Sequence, residues 1–140
     1  MPAHSNLSHC GDDSLDSDFE LISPSIGQWP HFEPALRLGV MASGNGSNFE
    51  GIQKSISSNA LDADIQLLVV NNQGCGAEQR AHRLNIPCQV LDHRQFETRE
   101  RLDHALVNAF LEADVDLIVM AGWMRIVTPV LIEAFPNRLL

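Results

Sequence analysis

Apolar residues in this chain fall into short runs separated by amphipathic stretches. Leu36-Arg37-Leu38-Gly39-Val40-Met41 reads as a buried strand. Ile65 to Val70 is nearly continuous and rich in β-branched residues, as in a strand covered on both faces. Cys88 to Leu91 is a short third strand, and Leu117 to Ala121 is the fourth and most apolar. Helical spacing fills the gaps. Phe49, Ile52 and Ile56 give a first helix its core face, and Ser57-Ser58-Asn59 ends it. Ala77, Ala81 and Leu84 mark a second helix, stopped by Asn85 and Pro87. Thr98 is placed to cap a third, with Leu102, Leu106, Ala109 and Ala113 as its buried stripe and Asp114 and Asp116 at its exit. Thr128-Pro129 opens a fourth helix, which runs through Ala134-Phe135 and is closed by Pro136. Asn137 to Leu140 reads as the lead-in to a fifth strand. Strands alternating with helices predict an α/β fold, a doubly wound and mainly parallel sheet with right-handed crossovers.

Residues 1–35 break this pattern. They are rich in Ser, Asp, Pro and His and carry six acids with no Lys or Arg. Such a composition buries too little apolar surface to offset chain entropy, so an acidic, disordered N-terminal extension is expected there, with the folded domain over residues 36–140. The 140-residue chain has a net charge of −9, and outside the extension 12 acids face 9 bases. No basic cluster is present, which excludes nucleic acid as an expected partner. No run is apolar enough to span a membrane. The first residues lack the basic and apolar regions of a signal peptide and are too acidic for a transit peptide, so the expected location is cytoplasmic. Three scattered cysteines and no CxxC suit a reducing compartment. Cys75, in Gly74-Cys75-Gly76, reads as a small loop residue or a reactive thiol. His4, His9 and His31 match no metal spacing, and no metal is expected.

The chemistry concentrates after the first strand. Ser43-Gly44-Asn45-Gly46-Ser47-Asn48 is small, polar and rich in glycine, and a helix follows it. A glycine turn at a helix start lets backbone N–H groups approach an anion, aided by about half a positive charge from the helix dipole. Ser47 and Glu50 have capping-box spacing, which predicts where this helix starts. The position a dinucleotide fingerprint gives to its third glycine holds Phe49, and no Gly-Lys pair supplies a P-loop. The second long strand ends in Asn71-Asn72 rather than the acid that would bind a ribose. The turn therefore suits a monophosphate, or is a plain strand-to-helix connection.

Two further stretches draw notice. Gly122-Trp123-Met124-Arg125-Ile126-Val127 follows the fourth strand, and ligands of open α/β sheets bind beyond the carboxyl ends of strands. This segment and the Gly44 loop are expected to share one face, where Trp, Met and Arg suit a flat, partly anionic ligand or ordinary turn packing. Arg99 faces the positive end of a helix dipole, an opposition of roughly 0.3–1 kcal/mol. Either Glu97 and Glu100 offset it or an anionic ligand does.

Taken together, Ser43–Asn48, Phe96-Glu97-Thr98-Arg99-Glu100, and Ala121–Val127 followed by Thr128-Pro129 resemble the glycinamide ribonucleotide formyltransferases of purine synthesis, in order and at family spacing over residues 36–140. The resemblance implies a Rossmann-like formyltransferase N-terminal domain, here with about four strands. It implies that Gly46, Ser47 and Asn48 hold the phosphate of 5'-phosphoribosylglycinamide. It implies that Arg99 contacts the cosubstrate 10-formyltetrahydrofolate, and that Met124, Arg125, Ile126 and Val127 line the folate site. Trp123, where the family usually has Phe or another apolar residue, is assigned packing. The family's Asn-x-His motif and later Asp, which assist attack on the formyl carbon, do not occur before Leu140. His82, His93 and His104 are expected to lie far from the strand ends and to be poor substitutes. These 140 residues are thus expected to hold binding walls without a reaction centre, to be inactive alone, and to leave the fourth strand without a neighbour, with a homodimer as one outcome. The deformylase of formyltetrahydrofolate and a non-catalytic phosphate or folate module are the alternatives. The first should lack the Ser43–Asn48 loop.

Overall fold

The computed structural model describes residues 31–140. These form one compact unit from His31, and residues 1–30, with His4, His9 and Cys10, lie outside the described part. Four strands, β1 (Leu36–Ala42), β2 (Ala63–Val70), β3 (Cys88–Val90) and β4 (Leu117–Met120), alternate with helices α1 (Ser47–Ser57), α2 (Gly76–Arg83), α3 (Arg99–Glu112) and α4 (Pro129–Ala134). The strands pair in parallel in the order β3-β2-β1-β4. The chain winds outward from β1 through β2 to β3 and then crosses back to β4 on the other side of β1. The doubly wound expectation holds, and the order reverses between β1 and β4. Openings for ligands lie at such a reversal.

Alternation along the strands divides the core in two. Leu38, Val40, Ala42, Leu68 and Val70 face Phe49 of α1 and Ala77 and Ala81 of α2. Met41, Leu67 and Val69 face Leu102, Leu106 and Phe110 of α3 and Leu131 and Phe135 with α4. The second layer is close fitting. A Cβ on Gly39 would stand 2.6 Å from the Phe110 ring, so this strand position has room only for hydrogen. Phe110 in turn meets Phe135 edge to face at 6.4 Å.

Helix termination follows one local rule. Asn59, Asn85, Asp114 and Asn137 come just after the four helices, and each has a left-handed backbone with φ between 56° and 58°. Asn and Asp tolerate this conformation better than other residues with a Cβ, and it releases the chain from the helix. At Asn137 it turns the chain back along the sheet. Ile118 N donates to Arg138 O at 2.8 Å, Leu140 N to Ile118 O at 2.9 Å and Met120 N to Leu140 O at 2.7 Å. The expectation of an unpartnered β4 is corrected: its outer amides are satisfied by Arg138 to Leu140. The lead-in to a further strand is real and does this pairing.

A second correction concerns α1. Its N-cap is Gly46 at φ 77°, with no side-chain cap, and Ser47 is already helical. The capping box does not form, because Glu50 turns away from the helix start to Arg80 and Arg83 of α2. Thr98 does cap α3, accepting from Arg101 N at 3.2 Å. Among the described residues no helix is long and apolar enough to cross a membrane.

Candidate functional site

The ends of β1, β2 and β4 are stitched together by polar groups. Ser43 N donates to Gly122 O at 3.1 Å, and Ser43 Oγ accepts from Met124 N at 2.9 Å. Asn72 Nδ2 donates to Ser43 O at 2.7 Å. The loop after β1 is thereby tied to the segment after β4, and the two share one face as expected.

A cavity of about 400 Å³ opens at this junction, lined by the Ser43–Asn48 loop, Asn71, Asn72 and His93, and by Ala121, Gly122, Met124 and Arg125. Gly46 is buried, while Ser47 and Asn48 are exposed. The backbone N–H groups of Gly46, Ser47 and Asn48 donate to nothing among the described residues, as befits the first turn of a helix, whose amides lack internal acceptors. Gly46 is indispensable to this shape. A Cβ there would stand 2.5 Å from Ala77 Cα, on a backbone at φ 77° that strains any other residue.

A second cavity of about 500 Å³ adjoins the first. It is lined by His93, the stretch Phe96–Glu100, Leu102 and Arg125. His93 and Arg125 therefore border both cavities. Arg99 and Arg125 line the second cavity, and neither has a carboxylate within ion-pair distance among the described residues; Glu97 pairs with Arg101 instead. Glu97 thus makes no ion pair with Arg99, while Glu100 stays beside it in the first turn of α3. Met124 and Ile126 are exposed apolar side chains, at 81% and 72%. Met124 and Arg125 reach the cavities, Ile126 does not, and Val127 packs into the core against α3 and α4. Trp123 also packs there, as assigned, with its indole N–H buried and unpartnered.

The reading of His93 is corrected. It sits in a single 3-10 turn, His93–Gln95, directly after β3, so parallel winding brings it to the same edge as the loops after β1 and β4. Its position three residues past Val90, the end of β3, is the signal the sequence carries. Asp92 builds the turn by accepting from Arg94 N at 3.0 Å and Nε at 2.8 Å. Those bonds hold the Asp92 carboxyl below its usual range. His93 Nδ1 lies 3.2 Å from Asn71 Nδ2 and can accept its proton in the Nε2–H tautomer. Asn71 is 1% exposed and its Oδ1 has no partner, a debt typical of functional sites. Among the described residues no three His, Cys, Asp or Glu gather as a metal site.

The family profile described as formyl transferase matches residues 36–140. The chain is 33% identical over 105 residues to the chloroplastic phosphoribosylglycinamide formyltransferase of Arabidopsis thaliana, covering 74% of this chain and 36% of that protein. It is 30% identical over 104 residues to the phosphoribosylglycinamide formyltransferase of Bacillus subtilis, covering 74% and 53%. The crystal structure of glycinamide ribonucleotide transformylase 1 from Geobacillus kaustophilus superposes with a TM-score of 0.73 at 30% identity, over 75% of this chain and 56% of that one. The chain thus spans about half or less of the length of the curated relatives it matches.

Proposed function

This chain belongs to the formyl transferase family, and from that premise we propose that it holds the two substrates of a folate-dependent formyl transfer. The amides of Gly46, Ser47 and Asn48 grip the phosphate of 5'-phosphoribosylglycinamide. Arg99, Met124 and Arg125 receive 10-formyltetrahydrofolate, with Ile126 exposed beside that wall and Val127 packed behind it. In the transfer, the ribonucleotide amine nitrogen bonds the formyl carbon, the bond from that carbon to the folate nitrogen breaks, and a proton passes from the first nitrogen to the second. The domain responsible is residues 36–140, with the acidic residues 1–35 as its N-terminal extension. The free thiols Cys75 and Cys88 fit the reducing cytoplasm that this reading assigns.

One observation carries the reading. Two cavities open side by side at the reversal of strand order and share His93 and Arg125. One is walled by unpaired amides, suited to a phosphate. The other holds Arg99 and Arg125 without carboxylate partners among the described residues, beside Glu97 and Glu100, and the two guanidinium groups suit an anionic ligand. Transfer between two bound molecules needs them held in contact, which accounts for a large part of such rate enhancements.

Calorimetry of the chain with each ligand separately tests this. Both are expected to bind, with ribonucleotide uptake abolished by Gly46→Val and folate uptake reduced by Arg99→Ala. Absence of binding by either ligand overturns the proposal.

A further inference from the structure

The loop that carries the phosphate reading does not hold its own shape. Within it no side chain caps the helix it feeds. Its support comes from α2. Ala77 N donates to Gly44 O at 3.0 Å. The glycines interlock: a Cβ on Gly76 would stand 2.7 Å from Asn45 O, and one on Gly46 would strike Ala77. Above this contact sits one guanidinium. Arg80 Nε donates to Asn45 O at 2.8 Å, and its NH2 group reaches Asn45 Oδ1 at a longer 3.4 Å. Its NH1 group pairs with Glu50, in the first turn of α1. Glu50 is only 15% exposed and is held on its other oxygen by Arg83 at 2.6 Å.

We infer that Arg80 is the positioning residue of the phosphate site, fastening the loop tip at Asn45 and the start of α1 at Glu50 to one rigid fork. Three consequences follow from its chemistry. The loop and the helix N-terminus, which must aim their amides at the same anion, cannot move independently. Asn45, with Oδ1 turned to Arg80, has only N–H donors left to offer the cavity it lines. Glu50 is shared between Arg80 and Arg83, so the three side chains keep one net positive charge beside the loop, and Arg80→Lys, which retains that charge, isolates the geometric part of the role. Lysine cannot replace it, because a single ammonium lacks the spread donors that reach Asn45 O and Glu50 together.

The inference rests on the loop being a phosphate site, and the experiment separates the two. Titrations of the whole chain with 5'-phosphoribosylglycinamide and with a reduced folate are compared for wild type, Arg80→Met, Arg80→Lys and Glu50→Gln, beside thermal melting. For Arg80→Met, ribonucleotide affinity is expected to fall about 10-fold or more, the size of losing charge-assisted hydrogen bonds, with folate affinity unchanged. Arg80→Lys is expected to recover little of that loss, and Glu50→Gln to lose a smaller factor. If Arg80→Met does not fold, the lysine and glutamine variants carry the test. Wild-type ribonucleotide affinity in a folded Arg80 variant, or an equal loss for both ligands, overturns the positioning role. A wild-type chain that binds no ribonucleotide overturns the phosphate reading beneath it.

Discussion

At the amino edge of the sheet, Arg37 at the start of β1 donates from its backbone N and Nε to Asp116 Oδ2, both at 3.0 Å, and from NH2 to Asp116 Oδ1 at 2.8 Å. It also pairs with Asp114. At the carboxyl edge, Arg99 and Arg125 have no such partners among the described residues, three loop amides donate to nothing, and Asn71 Oδ1 is orphaned. The same kinds of group are closed into a cluster at one end and left open at the other. The difference separates structure from function. Polar groups that only hold the fold are in the main satisfied within it, because leaving them unpaired costs stability, the buried indole N–H of Trp123 being the exception. On the proposed function, the open groups are the ones a ligand satisfies.

The contrast breaks first at Gly46. Gly46→Val puts a branched side chain into Ala77 on a left-handed backbone. A drop in stability of about 2 kcal/mol or more is expected from strain and overpacking together, along with loss of ribonucleotide uptake. Melting and calorimetry both report it, and unchanged uptake would show that the open amides are not the site.

Asp103 sharpens the comparison, since it is a closed group just behind the open edge. It is 2% exposed and accepts from Thr128 N at 2.6 Å and Thr128 Oγ1 at 2.7 Å, tying α3 to the start of α4. Asp103→Ala is expected to cost about 1.5–3 kcal/mol in a denaturant titration, as hydrogen bonds to a charged group are lost. Arg99→Ala should do the reverse. Folate affinity falls roughly 10-fold or more, the scale of a charge-assisted hydrogen bond, and the melting temperature holds or rises slightly, because nothing among the described residues pairs with Arg99 and its charge opposes the α3 dipole.

The smallest effect lies at the amino edge. The side-chain and backbone hydrogen bonds from Arg37 hold the Asp116 carboxyl down to about 2. A folded-state value below the unfolded one stabilises the protein fully above the unfolded value, near 4, and that contribution is lost as pH falls toward 2. Both side chains are more than a third exposed, so solvent screening limits the gain to about 1 kcal/mol or less. Asp116→Asn should flatten the stability profile between about pH 4 and 2. The same slope in the variant would mean the cluster contributes nothing there.

Much of the layout of the candidate site is legible along the chain. The Gly44 loop, the following helix, Arg99 in the first turn of α3 and Met124-Arg125 past β4 each carry their own local signature, and their common edge follows from parallel winding. Glu50 and His93 were misread for one reason. Capping spacing at Ser47 and Glu50 is a local possibility that loses to a stronger distant one, two arginines on α2. His93 was read from its neighbours in sequence, although its place is decided by where β3 ends in the sheet.

The sequence by itself determined which segments form strands and helices, where helices stop, and that a small-residue turn precedes α1, because these depend on backbone conformation and spacing over a few residues. Only the tertiary structure decided the partners of Glu50, the grip of Arg80 on Asn45, the meeting of His93 with Asn71 and the cover on β4. Those contacts join residues 20 or more apart, and their energies exist only once the sheet has brought strand ends and helix faces together.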